Sequence, residues 1–170
     1  MFDCNSKLKG AITINVFDKD GQLKDSRHVT NKIVLTGCNV IASLMTNQPL
    51  PIPSHIACGV GGKDTANAAM LNDEKLQSEV AIVQLDTPAV RQGNAVTFEA
   101  TFGPNTPDME TAPLKEVGIW CLGHGGKFLL NRATFAVVNK TRDDTVVINW
   151  VVTVLSDDGV ANPADVVNAD

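Results

Sequence analysis

Gly59-Val-Gly-Gly-Lys-Asp64 is the stretch of this chain closest in type and spacing to a phosphate-cradling loop. Such a loop needs Ser or Thr directly after the Gly-Lys pair, so that a hydroxyl can reach the magnesium ion. Asp64 stands there instead, and its carboxylate would repel phosphate; the expectation is a turn where a strand ends. Asp18-Lys-Asp-Gly21 has the carboxylate spacing that opens a calcium loop. The bidentate Glu that closes such a loop would fall at Val29, so a plain hairpin turn accounts for these residues.

His28, His55 and His124 stand far apart, with no helical or hairpin spacing to join them. Cys4, Cys38, Cys58 and Cys121 include no close pair of the kind that zinc sites use. Cys38, Cys58 and Cys121 each lie in an apolar stretch, where cysteine acts as a small hydrophobe; Cys4 is expected at the surface. The chain has no Gly-x-Ser-x-Gly elbow, and its acidic residues concentrate in turns. Trp120 and Trp150 could stack on sugars, but each sits in a strongly apolar run that favours core or interface packing. No residue is therefore assigned a catalytic, cofactor-binding or metal-ligating role, and the expected function is non-enzymatic.

The elements around these residues are mostly strands. Residues 114–122 turn over Gly123-His-Gly-Gly126 and return through 127–135, which reads as a β-hairpin. Residues 145–155 are β-branched almost throughout and apolar at both parities, as expected of a strand covered on both faces. Residues 10–17 alternate and should be half-buried, with 22–30 returning as a polar edge strand. From 31 to 47 the period becomes helical, with Val34, Cys38, Ile41, Ala42 and Met45 on the apolar face, until Pro49, Pro51 and Pro53 end it.

A strand follows at 54–60, then a polar connection at 63–73 and a further strand within 76–88. Residues 91–94 form a turn, and Val96, Phe98, Ala100 and Phe102 then point one way while Thr97, Glu99 and Thr101 point the other. A loop spans 103–113, and a turn near 139–143 leads to the last strand. The fold class expected is mainly β (α+β): an antiparallel, sandwich-like single domain over 1–155 with one helix near 31–47. Within it, 1–30 form an arm and hairpin and 31–155 the core; residues 156–170 form an acidic tail.

At 170 residues, with 44% apolar and 19% charged side chains, the chain can bury a core of its own. A net charge of −5 with scattered cations argues against nucleic-acid binding. No apolar run reaches the roughly 20 residues of a membrane-spanning helix. The N-terminus has no signal-peptide core, so synthesis in a cytoplasm is expected.

In order, these features resemble the small β-rich virion proteins of tailed bacteriophages, and the N-terminal domains, called tail fibre or tail-collar fibre. The resemblance rests on the 31–47 helix, Ser54-His-Ile-Ala-Cys-Gly-Val-Gly-Gly62, Gly93-Asn-Ala-Val-Thr-Phe-Glu-Ala-Thr-Phe102, Leu114-Lys-Glu-Val-Gly-Ile-Trp120, Leu130-Asn-Arg-Ala-Thr-Phe135 and 145–154. It implies a virion location, a homo-oligomer of three copies, and docking on another virion protein of the tail, neck or capsid, without cofactor, metal, nucleic acid or membrane. The chain departs from the long fibres in carrying no shaft or receptor-binding tip, and it adds a strand pair at 10–30. A short tail-fibre adaptor is the first expectation; a capsid decoration protein that reinforces the shell is the alternative.

Overall fold

A computed structural model describes residues 8–61 and 69–155. They form two five-stranded antiparallel sheets packed face to face, with one helix, a mainly β, sandwich-like α+β fold.

The first sheet contains β1 (Leu8–Phe17), β2 (Leu23–Thr30), β6 (Val90–Gln92), β7 (Ala95–Phe102) and β10 (Thr145–Val154), in the order β2-β1-β10-β7-β6. Alternation decides its faces. Ile12, Ile14 and Val16 of β1, Phe98, Ala100 and Phe102 of β7, and Val146, Ile148, Trp150 and Val152 of β10 all enter one core. Trp150 lies opposite both Ile12 and Phe98, at the centre of that face. The β1–β2 turn is closed by Asp18, whose Oδ1 accepts from the amides of Asp20 and Gln22, with Gly21 at φ +75°.

Two expectations change here. β10 is central in its sheet but buried on one face only: Thr145, Val147, Asn149, Val151 and Thr153 are half-exposed. β-branching had mimicked two-sided burial, because Val and Thr suit a sheet surface whichever way they face. Residues 90–92 are also paired, as β6, so the turn narrows to Gly93-Asn94, with Gly93 at φ +56°.

The second sheet has the order β3-β9-β8-β4-β5 and contains β3 (Lys32–Ile33), β4 (Pro53–Gly59), β5 (Glu79–Gln84), β8 (Ala112–Gly123) and β9 (Gly126–Lys140). Ile56, Cys58, Leu114, Val117, Ile119, Cys121, Leu130, Ala133 and Val138 complete the core between the sheets. On the opposite, outer face, Val34, Ala57, Leu76, Trp120 and Leu129 form a second apolar cluster.

The helix, α1 (Leu35–Ser43), is shorter than expected, and its buried positions are Gly37 and Val40. Gly37 lies against the Leu130 backbone, where a Cβ would collide with the carbonyl, and Thr36 Oγ1 donates to Leu129 O at 2.7 Å. Of the face marked by apolar spacing, Val34 is buried and Cys38 and Ile41 pack against the core, whereas Ala42 is exposed and Met45 lies 85% exposed beyond the helix end. The tail 156–170 and Cys4 lie outside the described residues.

Candidate functional site: a buried ion pair under a crossing loop

Polar chemistry concentrates on the outer face of the second sheet. Glu116, Gly118 and Trp120 of β8 share that face, and residues 69–78 cross over them on the way to β5. Glu116 is 0% exposed and Arg132 of β9 is 1% exposed. Glu116 Oε1 accepts from the Ser78 amide at 2.7 Å, and Oε2 accepts from the Gln77 amide at 3.0 Å. Arg132 Nε donates to the same Oε2 at 2.9 Å, while Nη2 lies 2.8 Å from it without hydrogen-bond geometry. Nη1 donates to Asp73 Oδ2 at 2.8 Å, and that oxygen also accepts from the Met70 amide at 2.7 Å.

A carboxylate is costly to bury, and here two backbone amides and a guanidinium replace its water. The arrangement explains two glycines. A Cβ on Gly59 or on Gly61 would come 2.5 Å from Glu116 Oε1, and each would also press on the backbone of Ser78. The two glycines with phosphate-loop spacing instead make room for a carboxylate of the chain itself; Gly62 to Asp64 lie outside the described residues.

Beside this pair, Trp120 Nε1 donates to Glu79 Oε2 at 2.9 Å, and Lys127 Nζ lies 4.1 Å from the Trp120 ring centroid and 3.3 Å from Glu79 Oε1. The Trp120 face is thus occupied by its own neighbours. Trp150, 0% exposed, donates from Nε1 to Asn31 Oδ1 at 3.3 Å inside the main core.

A second buried charge ties the β9–β10 turn to β2. Asp144 Oδ2 accepts from Lys24 Nζ and from the Thr141 hydroxyl at 2.7 Å each, and from the Thr141 amide at 2.8 Å. Burial raises its pKa, but these bonds and the Lys24 charge outweigh burial and hold it below the ordinary carboxylate value. Burial beside the turn lowers the pKa of Lys140, against the partial support of Asp144 and Asp143.

The histidines remain on separate elements: His28 is exposed on β2 beside Thr13, His55 is half-buried on β4 beside Ser54, and His124 is exposed in the β8–β9 turn. Cys58 and Cys121 are buried, which raises the Cys58 thiol strongly and pushes Cys121 up to about 12. Among the described residues no three His, Cys, Asp or Glu side chains are grouped to hold a metal ion. Among the same residues no helix is long and apolar enough to cross a membrane. An open depression at the end of α1 is lined by Asn39, Ala42, Ser43, Thr46, Asn47 and Gln48.

Neither Glu116 nor Arg132 emerges from sequence motifs, although both are charges set inside apolar strands. Counting back from the Gly123–Gly126 turn would place Arg132 opposite Val117, on the wrong face. A one-residue register shift between Ile119 and Trp120 moves it opposite Gly118, on the Glu116 side.

The class the geometry defines is a two-sheet antiparallel sandwich with a charge-pinned crossing loop. No family model, no curated protein and no solved structure matches the chain.

Proposed function

We propose that this chain is a non-enzymatic structural protein of a bacteriophage virion: a short tail-fibre or tail adaptor that docks on the particle as an oligomer, three copies being what the resemblance implies. The supporting observation is how the buried charges are used. Glu116, Arg132 and Asp73 bond to one another and to the loop amides of Met70, Gln77 and Ser78, so their polarity fixes a surface loop rather than facing a substrate. The segments that carry the resemblance fall on α1, β4, β7, β8, β9 and β10, which form much of the second sheet and two central strands of the first. Such an arrangement suits a rigid docking module.

Gold-labelled antibody against the chain, on purified particles of the encoding phage, tests this. Label at the tail or neck is expected. Label over the whole head would replace the adaptor with the decoration protein, and absence of label from intact and disrupted particles would overturn the virion role.

A further inference from the structure

The four sheet edges are not alike. β2 carries Lys24, Asp25 and Arg27, β3 has two residues, and β6 has three with Arg91 among them. Charge and brevity are the devices that stop an edge from pairing with another chain. β5 is longer and less charged: it has six residues with one charge, Glu79, and Val80-Ala-Ile-Val83, with a register shift at Val80, is uncharged and half-buried throughout. Its first residue, Glu79, is already engaged by Trp120 and Lys127.

The register shows which backbone groups are free. The Leu85 amide donates to Ser54 O, directly opposite, so 54 and 85 are a hydrogen-bonded pair. Pairs two residues on, Ile56 with Val83 and Cys58 with Ala81, are then hydrogen-bonded as well. Ile82 and Gln84 belong to the intervening pairs, and their N–H and C=O groups point away from β4. No bond to these groups comes from the described residues outside β4.

We infer that β5 is an assembly edge that pairs antiparallel with β5 of a second copy of this chain, about a two-fold axis at Ile82. In that register Ile82 exchanges both backbone bonds with its counterpart, and Gln84 faces Val80 of the other copy. No charged residue lies in the 80–84 span, so no like charges meet. Two five-stranded sheets would join into one of ten strands. This pairing stands apart from the virion reading, and it requires an even number of copies: two, or six where a three-fold ring also forms.

Light scattering on the full chain at micromolar concentration should give an even copy number. Gln84→Pro, at an exposed side chain whose N–H points outward, should halve that number with little change in melting temperature. In a Cys4→Ser background, Ile82→Cys should oxidise to a covalent dimer, because a hydrogen-bonded antiparallel pair has Cα atoms about 5.5 Å apart. Gln84→Cys, lying off the axis, should not. One or three copies in the wild type overturns the pairing. So does an even number that Gln84→Pro leaves intact while Ile82→Cys fails to crosslink. Should Gln84→Pro not fold, the crosslink alone decides.

Discussion

The two sheets solve the same burial problem by different means. The first buries one face and leaves the other half-exposed: Ile12, Ile14, Trp150, Ile148, Phe98 and Phe102 point in, while Thr13, Asn149, Glu99 and Thr101 point out. The second is covered on both faces, by the first sheet on its inner side and by residues 69–78 and the start of α1 on its outer side. A loop brings backbone amides, and amides over a sheet must be satisfied. Glu116 satisfies two of them, and Arg132 then neutralises Glu116. Two-sided burial by a loop thus brings a charge into an interior that the one-sided sheet fills with hydrocarbon.

The sharpest way to break this contrast is to remove half of the pair. Glu116→Leu leaves Arg132 buried against Asp73 alone and strands the Gln77 and Ser78 amides. A loss of about 3–5 kcal/mol is expected in denaturant unfolding. The double change Glu116→Leu with Arg132→Met should recover part of that loss, since the one carboxylate left, Asp73, is part-exposed and keeps the Met70 amide. If the single change costs under about 1 kcal/mol, the loop is not held by the pair and the second sheet is covered by packing alone.

Charge is also used at the rim, where a smaller effect is expected and pH reveals it. The Asp144 pKa is depressed in the fold, so the stability it contributes is fully present above its ordinary value of 3.8 and is lost as pH falls through the lower folded value. Asp144→Asn should lower stability by about 1–3 kcal/mol near neutral pH, the range for hydrogen bonds to a charged group. The difference between variant and wild type should shrink below about pH 4 as the wild-type carboxylate protonates. Equal losses at pH 7 and pH 3 would show that the turn is held by shape and not by charge.

What was legible in the sequence follows the same division. Where one face is wet, polarity alternates, and β1 and β7 stand where Ile12, Ile14, Phe98 and Phe102 place them. Where both faces are covered, alternation disappears. Position then depends on a register shift at Ile119/Trp120 and on the close approach of Gly37 to Leu130, neither of which has a periodic signal. The outward placing of Ala42 and Met45 and the Glu116–Arg132 pair were missed for that reason. β10 erred in the opposite direction, because Val147 and Val151 are apolar yet half-exposed.

The smallest effect belongs to the wet face of the first sheet. Glu99 is exposed on β7, and the bond it accepts from Asn149 Nδ2 is 3.2 Å long at an exposed position. Its backbone carbonyl accepts from the Asp86 amide, a bond that no side-chain change removes. Glu99→Lys should therefore shift stability by no more than about 0.5 kcal/mol, read as an unchanged unfolding midpoint. The neighbouring Phe98, 4% exposed on the same strand, serves as its internal reference: an aspartate there would put an unpaired charge against Trp150 and prevent folding. A loss of several kcal/mol from Glu99→Lys would mean that this face is covered as well, and that the two sheets differ in sequence but not in burial.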